Sequence, residues 1–239
     1  MAGESILIVE DHTMIAEYVA SILGNAGYKA IQAPTLAAAR RALAGQRFDL
    51  LLCDRFLPDG EGHDLLSAMG DGPAQPRTPA IILSADMDSG ERAMLLALGF
   101  IDALAKPCPP PRLLQSVRAA LDGQGVIAKD PPPATPAAAE PVLDDAAALH
   151  ICAGSRDTLV SMRRLFAADL PALRQRLATF AATGDATRTA QELHRLSAAA
   201  AWCGAAQVKA ACERAWRDPA GGLDELDAAL ARVLAALQT

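Results

Sequence analysis

The stretch FDLLLCDRFLPDGEG, residues 48–62, decides the fold of the first half of the chain. Its nearly unbroken apolar run, Phe48 and then Leu50 to Cys53, is typical of a parallel strand buried on both faces and is too short for a convincing helix. The run ends at a carboxylate, Asp54, and a loop rich in turn-forming residues. An isolated aspartate at this position would be interpreted as the start of a turn. The interpretation of Asp54 therefore depends on the residues at the ends of the other strands.

Similar short apolar runs recur along the first half, and polar residues come directly after several of them. Strands are predicted over 5–9, 28–33, 48–53, 80–83 and 100–105, and helices over 13–26, 35–44, 61–69, 89–98 and 109–121. The loop between the third helix and the fourth strand, residues 70–79, is rich in Gly and Pro. The polar residues at the strand ends are Glu10, Asp11, Asp54, Ser84 and Lys106.

Five strand–helix units in succession predict an α/β fold with a doubly wound, parallel five-stranded sheet and right-handed crossovers. In the common 2-1-3-4-5 strand order, the first and third strands are neighbours. The carboxyl ends of four strands then place all five polar residues in one crevice, where open α/β sheets bind ligands.

This set of side chains predicts phosphoryl chemistry. Three clustered carboxylates repel one another and favour a divalent cation with oxygen ligands, most simply Mg²⁺. The metal and Lys106 could neutralise phosphoryl oxygens while Asp54 attacks phosphorus, and Ser84 could donate a hydrogen bond to the same group. The alternative is an acidic loop cluster beside an ordinary surface lysine. That alternative explains any one of these residues but not five residues that all fall at strand ends.

With these motifs in place, residues 5–121 resemble a two-component receiver domain of the flavodoxin-like fold, and we assign residues 1–122 to it. The acidic pair, the aspartate, the serine, the lysine and the loop motif Asp54-x-x-Leu57-Pro58-x-x-x-Gly62 carry the resemblance. The resemblance implies that Asp54 accepts the phosphoryl group and that the Lys106–Pro107 bond is cis. It also implies a Mg²⁺ site formed by Glu10, Asp11, Asp54 and Phe56.

One position departs from the receiver pattern. The family usually has Tyr or Phe three residues before the lysine, as a switch that packs inward on phosphorylation. This chain has Ala103 there. We therefore expect phosphorylation to rearrange the face formed by the fourth and fifth strands and helices less than is usual in this family.

Residues 123–141 hold five prolines and are predicted to be a linker, part flexible and part polyproline II. Residues 142–239 have wholly helical patterns with short connections, which favour an antiparallel helical bundle. We expect a short lead helix over 143–151 and a long segment capped by Ser155. Pro171 is expected to restart that segment, Asp185 to cap the next helix, and Gly221-Gly222 to break the chain before the last one.

His194 lies just off the buried stripe of its helix, so its ring is expected to reach solvent. Ser197, Ala198 and Ala201 would leave a flat surface of small residues beside it. A neutral imidazole can accept a phosphoryl group, and small neighbours let another domain approach. The plain alternative is a partly exposed surface histidine on an alanine-rich helix.

Residues 142–239 resemble a histidine phosphotransfer (HPt) domain, whose usual signature is His-x-Leu-Lys-Gly with a glycine ten residues after the histidine. His194, Leu196 and Gly204 match this signature, while Ser197 replaces the lysine and Ala198 the glycine. The resemblance implies phosphoryl transfer at His194. Two alternatives remain: a bundle that binds partners without transfer, and the phosphoacceptor hairpin of a kinase, which the residues after His194 disfavour.

Composition limits the partners and the location. The net charge of −6 argues against nucleic acid and anionic membranes. The five cysteines form no CxxC pair, residues 1–12 lack the basic region typical of a signal peptide, and no uncharged apolar run reaches 18 residues. We therefore expect a cytosolic protein. Nothing resembles the ATP-binding motifs of a sensor kinase. The resemblances imply a sensor histidine kinase and other receiver or phosphotransfer proteins as partners.

Overall fold

The computed structural model describes residues 3–68, 78–85, 87, 89–123, 141–152 and 154–237. The chain divides into two compact units, one ending at Pro131 and the other beginning at Pro132. Most of the predicted loop over 70–79 and nearly all of the predicted linker over 123–141 lie outside the described residues. The first unit combines strands and helices, whereas the second is helical.

The first unit is a parallel sheet with helices. Its strands are β1 (Ser5–Val9), β2 (Lys29–Ala33), β3 (Leu50–Asp54), β4 (Phe56–Leu57), β5 (Gly60–Glu61), β6 (Ala80–Ser84) and β7 (Asp102–Ala105). Five of them form one parallel sheet in the order β2-β1-β3-β6-β7, which confirms the predicted 2-1-3-4-5 order. All residues of β3 and β6 are buried, as expected for central strands covered on both faces.

The helices of this unit come in the predicted order. They are α1 (Thr13–Asn25), α2 (Leu36–Gly45), α3 (Asp64–Ala68), α4 (Ser89–Ala97) and α5 (Pro110–Leu121). Helix α3 begins three residues later than the prediction because Glu61 pairs with Phe56 in the short antiparallel hairpin β4–β5. The sequence analysis missed this hairpin, whose strands are too short for a periodic pattern.

The second unit has five helices among the described residues. They are α6 (Asp145–Ile151), α7 (Arg156–Ala182), α8 (Ala186–Trp202), α9 (Ala206–Arg217) and α10 (Pro219–Leu237). Helix α7 contacts α8 and α10, while α9 contacts α8 and α10. The side chains of Ser155 and Asp185 accept hydrogen bonds from the first turns of α7 and α8, which confirms both predicted caps. The antiparallel bundle stays a prediction.

Two predicted helix boundaries in this unit are wrong. Pro171 lies inside α7 rather than at the start of a new helix. The apolar stripe continues across it through the buried Leu170 and Leu173, and this packing outweighs a proline cost of about 3 kcal/mol. Helix α10 begins at Pro219 and runs through Gly221 and Gly222, where a Cβ on Gly222 would lie 2.4 Å from Ala215 Cα of α9. Close helix packing explains the second glycine of that pair.

Within the described part of the chain, no helix is long and apolar enough to cross a membrane.

Candidate functional site

Strand register brings the polar strand ends of the first unit together. Val9 pairs with Cys53 across β1 and β3, so Glu10 and Asp54 come next, side by side. Lys106 comes directly after β7, and its ammonium Nζ donates to Glu10 Oε2 at 2.6 Å and lies 3.0 Å from Asp54 Oδ1. All three side chains are buried. Residues that are far apart in sequence thus form one charged cluster at the carboxyl edge of the sheet.

The carboxylates of Glu10, Asp11 and Asp54 can each present an oxygen within 4.8 Å of the others. Asp54 Oδ1 is buried, and the Lys106 ammonium lies 3.0 Å from it. A buried carboxylate oxygen with spare acceptor capacity, among other hard oxygens, fits a Mg²⁺ ligand. Phe56 has no side-chain donor atom, so only its main-chain oxygen could complete the predicted metal set.

The charges of the cluster shift one another's pKa values. Burial raises the pKa of the Glu10 carboxyl to about 8; the nearby Asp54 and Asp11 charges also raise it, while Lys106 opposes the shift. Burial alone would lower the pKa of Lys106, but Asp54 and Glu10 outweigh it and the net shift is upward. Lys106 therefore stays protonated, and one ammonium faces several carboxyl groups. A divalent cation would relieve this imbalance.

Ser84 and Lys106 are fixed by the same pair of strands. Ser84 ends β6, is fully buried, and pairs with Ala105 of β7. The main-chain N–H of Lys106 donates to the Ser84 carbonyl at 2.7 Å, and the Lys106–Pro107 bond is cis, as the resemblance implied. The serine and the lysine therefore occupy neighbouring strand ends beside Asp54.

The loop after Asp54 is held in place by Gly62, which belongs to the predicted loop motif, and by Asp59, whose role the sequence analysis did not predict. A Cβ on Gly62 would lie 2.2 Å from the Asp54 carbonyl oxygen, so only glycine fits against the Asp54 backbone. The carboxylate of Asp59 accepts hydrogen bonds from the main-chain N–H groups of Leu36 and Ala37 at 2.8 and 2.9 Å, which caps α2. Such a long-range cap has no local sequence signal.

A second charged cluster, also missed from the sequence, surrounds Asp102 on β7. Asp102 is 0% exposed and binds the guanidinium groups of Arg92 from α4 and Arg112 from α5 at 2.6 and 2.9 Å. The Ser116 hydroxyl donates to it at 2.6 Å. The next residue is Ala103, fully buried, and its carbonyl accepts a hydrogen bond from Arg92. At the position of the usual aromatic switch, the chain has a small side chain and a network of ions.

In the helical unit, the expectation that the His194 ring reaches solvent is wrong. His194 is only 4% exposed, and Ala198 beside it is buried as well. Ser197 and Ala201 are partly buried rather than part of an open surface. Alanines on several sides of α8 let the neighbouring helices α7 and α9 approach closely. Helical periodicity alone therefore could not identify an exposed face of α8.

The backbone requires a glycine at position 204, whether or not the helical unit transfers phosphoryl groups. It adopts φ +72° after the end of α8, and its carbonyl accepts the main-chain N–H of Asp144, the N-cap of α6, at 2.8 Å. A Cβ there would lie 2.3 Å from the Asp144 carbonyl oxygen. Arg163 of α7 joins the same junction, donating to the Cys203 carbonyl and to Asp145. The glycine of the HPt signature thus permits a close backbone contact.

The fold and this site define a class of protein. Its members are doubly wound α/β domains with an acidic cluster and a lysine at the carboxyl edge of the sheet. Within that class, residues 6–118 match the model of the response regulator receiver domain family, and this part of the chain is a receiver domain.

Two curated relatives align well beyond the receiver segment. The sensor histidine kinase GacS of Pseudomonas protegens is 28% identical over 248 residues, which cover 98% of this chain and 27% of the kinase. The sensor protein GacS of Pseudomonas syringae pv. syringae is 29% identical, covering 88% of this chain and 24% of that protein. The chain therefore spans about a quarter of the length of these relatives.

Solved structures also resemble the first half. A putative response regulator from Chloroflexus aurantiacus J-10-fl is 29% identical and covers 50% of this chain and 98% of that one, with a TM-score of 0.47. Another curated relative is the transcriptional regulatory protein GltR of Pseudomonas aeruginosa, 34% identical over 119 residues, which cover 50% of this chain and 49% of that protein. The receiver family match and these curated relatives indicate two-component signalling.

Proposed function

We propose that this chain is a phosphorelay protein of a two-component system, in which Asp54 accepts a phosphoryl group with the help of Mg²⁺. One observation carries the proposal: Lys106 Nζ lies 2.6 Å from Glu10 and 3.0 Å from Asp54, among three carboxylates that can converge on one cation. Burying so many charges is costly, and packing alone gives no reason for it.

In the proposed reaction, an Asp54 carboxylate oxygen attacks the phosphorus of a phosphohistidine or a small acyl phosphate. The new P–O bond forms the aspartyl phosphate as the bond to the donor breaks, and the leaving imidazole or carboxylate takes the electron pair. Lys106 neutralises phosphoryl oxygens, and Ser84 donates a hydrogen bond to one of them. Glu10, Asp11, Asp54 and the main chain of Phe56 would hold Mg²⁺, which supplies further charge neutralisation.

The partners that this function requires are a sensor histidine kinase and other receiver or phosphotransfer proteins, acting in the cytosol. The alignment with sensor kinases supports this assignment. The proposed role is to receive and pass on phosphoryl groups that another protein supplies.

For the helical unit, two candidate functions have different support. Transfer to His194 is supported by the HPt-like motif and by the alignment with GacS over 98% of the chain. A module that binds partners without transfer is supported by the burial of His194, because a ring 4% exposed offers an incoming phosphoryl group little access. Transfer requires α8 to expose that ring when it meets a receiver.

The first test labels the full chain with radioactive acetyl phosphate. We expect one base-labile phosphoryl group that requires Mg²⁺ and is absent from Asp54→Asn. The matched control is Asp122→Asn, which removes an exposed carboxylate at the end of α5 and should label like the wild type. Labelling that survives both Asp54→Asn and chelation would contradict the site.

The second test separates the two candidates for the helical unit. Phosphorylated wild-type chain, freed of donor, is mixed with Asp54→Asn chain as acceptor, and acid-labile label on the acceptor is measured over time. The control acceptor carries both Asp54→Asn and His194→Gln. More label on the first acceptor than on the second supports the relay, and equal labelling supports the binding module.

A further inference from the structure

Two adjacent residues near the start of α4 are paired with two different elements of the receiver. Glu91 pairs with Arg55, the residue directly after Asp54. Arg92 pairs with Asp102 of β7 at 2.6 Å. The Arg55 and Glu91 side chains are only 20% and 14% exposed, so solvent screens this pair less than an ordinary surface pair. Helix α4 is thus tethered by ions to the loop after the phosphoacceptor and to β7.

Of the two ion pairs, the one between Arg92 and Asp102 of β7 is the harder to break. Asp102 is 0% exposed and also binds Arg112, Ser116 and the main-chain N–H of Ala103, at 2.9, 2.6 and 2.9 Å. Removing one partner of such a network leaves a charge buried with fewer hydrogen bonds, which is strongly unfavourable. We therefore expect the ion pair between Arg92 and Asp102 to stay intact when Asp54 is phosphorylated.

In the ion pair between α4 and the loop after Asp54, Arg55 can exchange Glu91 for another anion. The Arg55 guanidinium stacks over the Phe56 ring, 4.6 Å from its centroid, and its Nε is buried without a hydrogen-bond partner among the described residues. A phosphoryl group on Asp54 would add negative charge and three strong acceptor oxygens one residue away from Arg55. A guanidinium fork matches phosphoryl oxygens well, so such a group competes with the single carboxylate of Glu91.

We propose that Arg55 is the positioning residue that couples Asp54 to α4: on phosphorylation its guanidinium leaves Glu91 for the phosphoryl oxygens, and α4 loosens at its first turns. The inference rests on the proposed phosphorylation of Asp54. No proton moves and no covalent bond forms beyond the aspartyl phosphate. An ionic exchange thereby takes the place of an aromatic side chain at Ala103.

The test measures amide hydrogen exchange across α4 in the full chain, with Mg²⁺ and with or without acetyl phosphate. In the wild type we expect exchange over Ser89–Ala97 to rise about fivefold on phosphorylation, the effect of losing one partly shielded ion pair. Glu91→Gln should show that faster exchange before phosphorylation and no further rise. Arg55→Met should likewise give the same exchange in both states. The control, Glu17→Gln, removes an exposed carboxylate of α1 and should behave as the wild type.

Intact mass of the same samples, with Asp54→Asn as the reference, reports the phosphoryl group on Asp54 and separates the two ways to fail. If the wild type takes up no phosphoryl group, the proposed function falls and this inference falls with it. If the wild type is phosphorylated but its α4 exchange does not change, the coupling through Arg55 is overturned alone. The same holds if Glu91→Gln and Arg55→Met, phosphorylated to the wild-type extent, keep the full fivefold response.

Discussion

The two units hold their candidate phosphoacceptors in opposite ways. Asp54 lies in a buried cluster of charges, with a lysine 3.0 Å away and two further carboxyl groups that can share a cation. His194 is equally buried but lies on a helix rich in alanine, beside the buried Ala198. A buried cluster of ions needs a reason beyond packing, whereas one buried imidazole is compatible with a purely structural role.

This contrast limits how far a motif match can be carried into chemistry. At Asp54, the motif residues and the geometry point to the same reaction. In the helical unit, Gly204 matches its motif for a backbone reason, since a Cβ would meet the carbonyl of Asp144. A residue that matches a family motif can therefore be required by the backbone, as Gly204 is, rather than by the chemistry of the site.

The greatest losses of stability are expected where glycine permits a close backbone approach, once in each unit. Gly62→Ala places a Cβ 2.2 Å from the Asp54 carbonyl oxygen, and Gly204→Ala places one 2.3 Å from that of Asp144. Because a backbone atom cannot move aside cheaply, we expect each change to lower the free energy of unfolding of its own unit by about 3 kcal/mol or more. Urea denaturation monitored by circular dichroism measures both, and tryptophan fluorescence reports the helical unit, which holds Trp202 and Trp216.

Two other glycines are matched controls for this prediction. A Cβ on Gly45 meets nothing within 4 Å, so Gly45→Ala should leave the receiver as stable as the wild type. Gly184 has φ +67° but equally open surroundings, so Gly184→Ala should cost only the left-handed backbone penalty of about 1–2 kcal/mol. Equal losses at Gly184 and Gly204 would contradict the close-approach explanation.

The next prediction concerns access to His194. Diethyl pyrocarbonate modifies accessible imidazoles, and His150 in the same unit is exposed. We expect His194 to react about tenfold more slowly than His150 or slower still, because the reagent must wait for local opening of α8. Peptide mass spectrometry of partially modified protein gives both rates in one experiment. Similar rates would show that α8 opens readily and would strengthen the relay candidate.

The receiver was predictable from sequence because its determining features are local. Apolar runs that end in Glu10, Asp54 or Lys106 are visible in a few residues each, and general rules of strand order bring them together. The cap that Asp59 gives α2 and the ion network of Asp102 join residues far apart, so no window of sequence reveals them. The same limit applies to His194, whose exposure depends on the residues that pack against α8.

The third prediction is a pH dependence of Mg²⁺ binding. Burial is the main cause that raises the pKa of Glu10 to about 8, and the charges of Asp54 and Asp11 add to it. Mg²⁺ binding requires the ionised form of this carboxyl group. The apparent Mg²⁺ affinity should therefore fall about tenfold per pH unit as pH decreases from 8 to 6, with one proton released per ion bound. Calorimetric titration in two buffers of different ionisation enthalpy measures both quantities. Glu10→Gln should remove this slope, and a flat affinity in the wild type would contradict the shift.

The same shift has a definite sign for stability. Between the ordinary carboxyl value of 4.5 and about 8, the folded receiver binds a proton at Glu10 that the unfolded chain does not. Without a divalent cation, the free energy of unfolding should therefore decrease as pH rises through this window. Saturating Mg²⁺ should oppose that decrease, because the cation stabilises the ionised carboxyl group.

The weakest contribution is expected from the ion pair between Arg174 of α7 and Asp227 of α10. Its geometry is bidentate, at 2.6 and 2.7 Å, but the side chains are 39% and 54% exposed, in contrast to the buried ions around Asp54. Solvent screening and the entropy of fixing two flexible side chains limit such a pair to about 0.5–1 kcal/mol. A double-mutant cycle with Arg174→Gln and Asp227→Asn, measured by urea denaturation at two salt concentrations, gives the coupling energy and its screening. If that energy exceeds about 2 kcal/mol or does not fall with added salt, solvent does not screen this exposed pair, and the contrast between the exposed ions of the helical unit and the buried ions around Asp54 is wrong.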